Sequence, residues 1–295
     1  MEPRFGRVIT AMITPFTADG SLDLDGAVEL ADWLVEQGND GLVLAGTTGE
    51  SPTLTHDEQI DLVEAVSGAV DCHVIAGAGS NDTAAAVELT RRCSEVGADA
   101  ILTVTPYYNR PSQLGLFNHF RAVAEATDLP VMLYDIPPRS GRKIHTDTIL
   151  RLADEVQNIV AVKDAAGDVA ETARLVAATP AGFEIYSGED SLTLALLAIG
   201  AVGVVSVASH WATPETVVMM DAFFSGDVAA ATEANRRLIP SWDFESGDLT
   251  PNPIPSKAMM KVLGLPGGDC RPPMGPEPAD LADRARLVLA GLGRA

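Results

Sequence analysis

The stretch NIVAVKDAAG, residues 158–167, places one lysine inside an otherwise apolar run of strand character. An ammonium group is costly to bury in a strand interior, so Lys163 needs either an acidic partner or a chemical task. The run is near-continuously apolar rather than alternating, the pattern of a strand covered on both faces. Seven further runs share it: RVITAMITPF (7–16), DGLVLAG (40–46), HVIAGAG (73–79), DAILTVTP (99–106), PVMLYDIP (130–137), FEIYSG (183–188) and VGVVSVAS (202–209). Successive runs are mostly about 30 residues apart, the length of a strand–helix unit.

Helical patterns fill the intervals. In LDGAVELADWLVEQG (24–38), Ala27, Val28, Leu30, Ala31 and Leu34 gather near one face. THDEQIDLVEAVSGAV (55–70) opens with Thr55 and has Glu58 three residues later, a capping-box signature. NDTAAAVELTRRCSEVG (81–97) begins at an Asn or Asp cap and ends at Gly97 in the position of a C′ glycine. Eight alternating units predict an α/β fold, a (β/α)8 TIM barrel over residues 1–225. An open doubly wound sheet is the rival, but the first strand is not followed by a G-x-G-x-x-G turn. Beyond residue 209 no strand pattern recurs. Helices are expected at 213–225, 227–243, 254–263 and 279–291, the last three forming a small C-terminal helical region (226–295), with prolines 251, 253 and 255 breaking it.

Composition narrows the function. With 295 residues, 20 basic against 41 acidic side chains and a net charge of −21, the chain is a poor partner for nucleic acid. The acidity fits either a soluble surface encoded by a GC-rich genome or adaptation to high salt. No apolar run reaches the ~20 residues of a membrane span, and MEPRFGRVITAMITPF (1–16) has no signal-peptide pattern; a cytoplasmic protein is expected. Three scattered cysteines, Cys72, Cys93 and Cys270, favour neither a disulfide framework nor a zinc site, and the five histidines show no metal-ligand spacing.

In such a barrel, function resides at the C-terminal ends of the strands, and unusual polar residues collect there. The second strand ends in GTTGES (46–51), with Thr47 and Thr48. The fourth ends in TPYYNRP (105–111), with Tyr107 and Tyr108. The fifth carries Tyr134 and leads through DIPPRSG (135–141) to Arg139. The sixth carries Lys163, and the seventh ends at Ser187 and Gly188. Burial lowers a lysine's pKa, and a neutral amine attacks carbonyls to form a Schiff base. The alternative is a structural lysine paired with Asp164 or Asp190, although Asp164, one residue on, points to the opposite face. Tyr134 is either a proton-transfer group relayed through Thr47 or a packed core tyrosine. GTTGES can hold a carboxylate through N–H groups and hydroxyls, or be a plain βα turn; it lacks the G-K-[ST] of a Walker loop. Arg139 is either a carboxylate fork or a surface ion pair. His56 reads as a helix-start residue, and GAGSND (77–82) is too weak a signal for a dinucleotide.

Taken together, GTTGES, TPYYNRPSQLG, LYDIPPRSG, VAVKDA, YSGED and GVVSV, followed by NPIPSKAMMKVLGL (252–265), resemble the 4-hydroxy-tetrahydrodipicolinate synthase (dihydrodipicolinate synthase) family over nearly the whole chain. That resemblance implies a pyruvate-dependent Schiff-base lyase of lysine and diaminopimelate biosynthesis, with pyruvate and L-aspartate 4-semialdehyde as substrates and neither metal nor diffusible cofactor. It implies that Lys163 forms the imine and that Thr48 holds the pyruvate carboxylate. Thr47, Tyr134 and Tyr108 would relay protons, Tyr108 coming from a neighbouring subunit of a homotetramer built from two tight dimers. Arg139 would bind the carboxylate of the aldehyde, and Gly188 and Val205 would line the pyruvate pocket.

The family's lysine-feedback site matches Ser51, His56, Asn81 and Tyr107. Pro52 stands where alanine is common, and Ala85 where sensitive bacterial members carry a glutamate, so weak or absent feedback is expected. Two further departures are Asp135, in YDIP rather than YNVP or YNIP, and VASH in place of VTAN, which puts His210 near the barrel rim. Sister aldolases of the N-acetylneuraminate lyase or 2-keto-3-deoxy sugar acid type share the lysine and tyrosine but generally lack an arginine after IPP and the paired tyrosines. A catalytically silent keto-acid-binding barrel would be expected to have lost one of Lys163, Tyr134, Thr47 or Tyr108. A barrel carrying pyridoxal phosphate on its lysine would show the absorbance of that cofactor.

Overall fold

In the computed structural model, which describes residues 2–294, the eight apolar runs are eight parallel strands. They are β1 (Val8–Ala11), β2 (Gly41–Leu44), β3 (His73–Gly77), β4 (Ala100–Val104), β5 (Val131–Asp135), β6 (Ile159–Asp164), β7 (Glu184–Ser187) and β8 (Gly203–Ser206). The sheet closes in sequence order, with β8 pairing β1 through Val8↔Val204, Ile9↔Val205 and Thr10↔Ser206. The strands are shorter than the apolar runs because the residues that follow each strand leave the ladder to build the mouth.

The outer layer comprises α1 (Leu24–Glu36), α2 (His56–Ser67), α3 (Thr83–Glu95), α4 (Gln113–Ala124), the one-turn α5 (Pro137–Ser140), α6 (Thr146–Glu155), α7 (Val169–Ala178), α8 (Thr193–Ala198) and α9 (Ser209–Phe224). Their starts are chemically set. Asp23, Ser112 and Asp168 accept from backbone N–H groups three residues on. Thr55 and Glu58 form the reciprocal capping box, and Gly97 adopts φ +101 just past α3. Helix α9 starts four residues before the expected Thr213, because Ser209–Thr213 form an extra turn that joins the main helix across a kink at Ala212 (φ −124, ψ 23).

Side chains alternate between two cores. Ile9, Val43, Ile75, Leu102, Met132, Tyr134, Ala161, Ala165, Tyr186 and Val205 fill the barrel. Their neighbours Val8, Leu42, Val74, Ile101, Leu133, Val162 and Val204 pack outward beneath the helices. Lys163, midway between Ala161 and Ala165, is on the inward phase.

After α9 come α10 (Val228–Glu245), α11 (Ile254–Leu263) and α12 (Leu281–Gly291). The segments flanking α11 return to the mouth of the barrel. Lys257 Nζ pairs with Glu50 Oε1 at 2.7 Å, both side chains being 2% exposed. The Arg271 backbone N–H donates to Glu50 Oε2 (2.9 Å), and its guanidinium forks onto Glu58 (2.6 and 3.0 Å). Lys257 and Arg271 both lie over the Phe16 ring, at 4.0 and 4.2 Å. The loop holding Thr47 and Thr48 is thus clamped from the far end of the chain. Removing one partner of a buried pair leaves the other charge uncompensated. Lys257→Met is therefore expected to cost ~3–5 kcal/mol of unfolding free energy in denaturant titrations, and adding Glu50→Gln should recover much of that loss.

Candidate active site

Lys163 is 5% exposed, at the C-terminal end of β6. In-register pairing sets it between Tyr134 on β5 and Tyr186 on β7. Its Nζ lies 4.4 Å from the centroid of the Tyr134 ring. Neither proposed structural partner claims it. Asp164 faces outward, accepting from Thr172 Oγ1 (2.6 Å) and the Ala166 amide (2.9 Å). Asp190 accepts instead from backbone amides of Val207 and Ala208. Among the described residues no carboxylate stands within ion-pair distance of Lys163. Burial pushes its pKa down to about 8; Asp190 opposes this, and Arg139 adds to it. Relative to the ordinary 10.5, the displacement favours the neutral amine by about 3 kcal/mol.

The lysine stem fits only because residue 188 has no side chain. A Cβ there would meet Lys163 Cγ at 2.9 Å, Lys163 Cε at 3.0 Å and Ala165 Cβ at 2.9 Å. Val205 closes the same interior from β8. The Tyr134 hydroxyl is buried and its pKa is raised to about 12 by desolvation, an effect that neighbouring Thr47 partly offsets. Thr48 is buried, and its Oγ1 accepts from Asn252 Nδ2 at 2.9 Å. That bond turns the Thr48 hydroxyl proton toward other acceptors, as holding an anion requires. Tyr186, the fourth tyrosine, points to the opposite end of the barrel, where its hydroxyl meets Glu184 and the Phe5 amide.

At the mouth a cleft of about 290 Å³ is lined by Thr47, Ser51, Tyr107, Arg139, Asn252 and Met274, among others; it shares Thr47 with the site, while Lys163 is not among its lining residues. Arg139 is exposed, with no carboxylate in ion-pair distance among the described residues, so its fork is free for a ligand. Its loop is tied down at the base by Asp135, whose two oxygens accept from Lys143 Nζ (2.9 Å) and the Ile144 amide (3.0 Å). Asp135 therefore stands back to back with Tyr134, on the outer face.

Other candidates fall elsewhere. Tyr108 is 90% exposed on a loop where it adopts φ +72; within this chain its ring reaches no site group. Of the feedback-site set, Ser51 and Tyr107 share the cleft. His56 is exposed at the first turn of α2, and Asn81 is tied through its carbonyl to Asn109. His210 is fully buried rather than facing the rim. Its Nε2 accepts from the Ile13 amide (3.0 Å), its Nδ1 bonds the Val207 carbonyl (2.8 Å), and burial pushes its pKa down to about 4.

Four residues of this mouth carry no role in the sequence reading: Glu50, Asn252, Lys257 and Arg271. The only local signal was the NPIPSK motif, since the partners lie at opposite ends of the chain. The backbone adds another mark. Ala45, Glu50, Tyr108 and Arg110 all adopt positive φ, and all lie in the loops after β2 and β4, where strain collects at functional sites.

A closed barrel with an unpaired, desolvated lysine on its axis, a tyrosine beside it and an open mouth defines a (β/α)8-barrel enzyme of the lyase class. The chain belongs to the dihydrodipicolinate synthetase family, whose model matches residues 4–289. It is 52% identical over 273 residues to the 4-hydroxy-tetrahydrodipicolinate synthase of Moorella thermoacetica, covering 92% of each chain. It is 50% identical over 291 residues to 4-hydroxy-tetrahydrodipicolinate synthase 2 of Streptomyces coelicolor, covering 98% of this chain and 96% of the relative. The dihydrodipicolinate synthase of Cyanidioschyzon merolae, solved with lysine bound, superposes with a TM-score of 0.96 at 43% identity over the full length of both chains.

The Gly188 contact yields a direct test. A methyl group added there displaces the lysine stem, and misplacement by about 1 Å costs on the order of 100-fold in rate. Gly188→Ala should lose turnover to that degree while its circular dichroism stays that of the wild type.

Proposed function

We propose that this chain condenses pyruvate with L-aspartate 4-semialdehyde to give 4-hydroxy-tetrahydrodipicolinate, in lysine and diaminopimelate biosynthesis, through a Schiff base on Lys163. The observation that carries the assignment of the nucleophile is the buried lysine, unpaired with any carboxylate of the described residues and in register with Tyr134. The neutral Nζ adds to the ketone carbon of pyruvate, and the carbinolamine loses water to give the imine. Loss of a methyl proton to the Tyr134–Thr47 pair gives the enamine, whose carbon attacks the aldehyde. The substrate's amine then displaces Lys163 as the ring closes. Thr48 holds the pyruvate carboxylate, with Gly188 and Val205 shaping its pocket, and Arg139 forks onto the carboxylate of the aldehyde.

The exposure of Tyr108 supports its insertion into the site of a second copy, completing the relay with Tyr134 and Thr47. Such an insertion calls for at least a dimer, and we assign the homotetramer of two tight dimers that the family resemblance implies. No helix among the described residues is long and apolar enough to cross a membrane; the cytoplasmic location we assign rests on the biosynthetic role implied by the family.

The deciding assay is turnover of the two substrates, coupled to the next reductase of the pathway, for wild type and Lys163→Ala. Robust wild-type turnover abolished in the variant is expected. Wild-type inactivity alongside borohydride trapping of pyruvate on Lys163 would overturn the aldehyde while keeping the imine chemistry. Because only the neutral amine attacks, trapping should rise with pH and level off above about 8.

Feedback follows from the same mouth. Ala85, on α3, offers no carboxylate to an incoming ammonium group. Lysine is expected to inhibit weakly or not at all in the coupled assay; submillimolar inhibition would refute this.

A further inference from the structure

Arg139 is exposed, so the place of its fork is set by the turn that carries it, α5 (Pro137–Ser140). One side chain joins the two ends of that turn. Asp135, the last residue of β5, accepts from the Ile144 amide through Oδ1 (3.0 Å) and from Lys143 Nζ through Oδ2 (2.9 Å). Gln113, the first residue of α4, closes the same point from the other side. Its Nε2 donates to the Lys143 carbonyl (2.9 Å), and its Oε1 accepts from the His145 amide (3.0 Å). Within the turn, Ser140 Oγ lies within hydrogen-bond distance of the Ile136 and Arg142 carbonyls, and the Ser140 carbonyl accepts from the Tyr108 amide (3.3 Å).

This clasp is under electrostatic load. Asp135 is in register with Asp164 of β6, and both carboxylates are buried on the outer face of the barrel. Glu171 of α7 lines the same small cavity, where Lys143 is the one cation among the described residues. Its Nζ pairs with Asp135 at 2.9 Å and with Glu171 at 3.5 Å. Without it, three carboxylates would share the cavity, two of them out of water and with no counter-charge. Relief would require water at Asp135, and the residues in the way, bonded to its two oxygens, are Lys143 and Ile144 themselves.

We propose that Lys143, by closing Asp135 onto the far end of this turn, is a positioning residue for the aldehyde half of the reaction: it holds Arg139 at the mouth, ready for the aldehyde's carboxylate, and has no part in the pyruvate half. The proposal rests on the reading of Arg139 as the anchor of the aldehyde. The separation of the two halves follows from the layout. The groups assigned to pyruvate, Thr48, Lys163, Gly188 and Val205, all lie outside residues 136–145. Tyr134, the neighbour of Asp135, is held by its own ladders, opposite Val104 on β4 and Lys163 on β6. Loosening the turn therefore moves the arginine and leaves the imine site in place.

The test compares wild type, Lys143→Met, Lys143→Arg and the double variant Lys143→Met with Asp135→Asn. In Lys143→Met the KM for the aldehyde is expected to rise on the order of tenfold, the worth of a hydrogen bond between charged groups. The KM for pyruvate and the borohydride trapping of pyruvate on Lys163 are expected to stay at the wild-type level. Lys143→Arg keeps a cation for Asp135 and should keep the wild-type KM. The double variant removes the unpaired charge, so thermal stability lost in Lys143→Met should return while the KM for the aldehyde stays high. A rise shared equally by both KM values, an unchanged KM for the aldehyde, or its recovery together with stability in the double variant would overturn the proposal. A second measurement needs no substrate. Amide hydrogen exchange of residues 136–145 should quicken in Lys143→Met but not in Lys143→Arg, with β6 protected as in wild type; equal protection of the segment in wild type and Lys143→Met would overturn the clasp. If wild type traps pyruvate yet does not turn over the aldehyde, the reading of that substrate falls, and the exchange data alone decide the clasp.

Discussion

Pairing of β8 with β1 leaves the sheet without an edge, and a sheet without edges cannot slip its register. Every strand must then commit its alternate residues to the axis or to the helices. In β6 that commitment runs Ala161, Lys163, Ala165 inward and Val162, Asp164 outward. The lysine is buried because closure allows it nowhere else. A one-residue shift would carry it to the helix layer and bring Asp164 inside. The same closure aligns Tyr134 and Tyr186 beside it, through the β5–β6 and β6–β7 ladders.

A rigid barrel supplies position but not a floor for anionic ligands; that is the task of the loops. The loop after β2 adopts a strained backbone at Ala45 and Glu50, at a cost of about 1–3 kcal/mol for each such residue. It persists because Glu50 is bound on both oxygens, by Lys257 and by the Arg271 amide. Glu58 does double duty, closing the cap of α2 and receiving the Arg271 fork, which holds its carboxyl down at about 2. The C-terminal segment is therefore part of the catalytic mouth. Asn252 makes the point at the level of one bond, since it orients the Thr48 hydroxyl from 204 residues away.

The legible and illegible parts of the molecule divide along this line. Strand parity is a local property, so Lys163, Tyr134 and the barrel could be read from runs of eight or ten residues. The capping box of α2 and the glycine after α3 were equally local. Whether Thr48 needed a partner, and that Glu50 was more than a turn residue, depended on long-range pairing that no window of sequence contains. Asp135 illustrates the intermediate case. Its oddity beside the tyrosine was visible, but its role is on the opposite face, anchoring Lys143 beneath the Arg139 loop. Pro240 lies inside α10, where tertiary packing outweighs the loss of one backbone bond, whereas Pro214 falls in the first turn of the main part of α9, just past the kink at Ala212, where no such bond is lost.

The position of the Lys163 pKa is set by a contest with unequal sides. Desolvation is the largest cause and acts downward; Arg139 acts the same way, while Asp190, Glu189 and Glu245 act upward. Of these, Arg139 is the one cation, and it stands exposed at the mouth, where an anionic ligand can neutralise it. An anion on its guanidinium would cancel its repulsion of a positive nitrogen at Lys163 while leaving the buried groups untouched. Occupation of the mouth and the stability of a cation on the lysine are therefore coupled electrostatically. Because Arg139 is exposed, water screens much of that coupling, and desolvation remains the larger influence on the lysine.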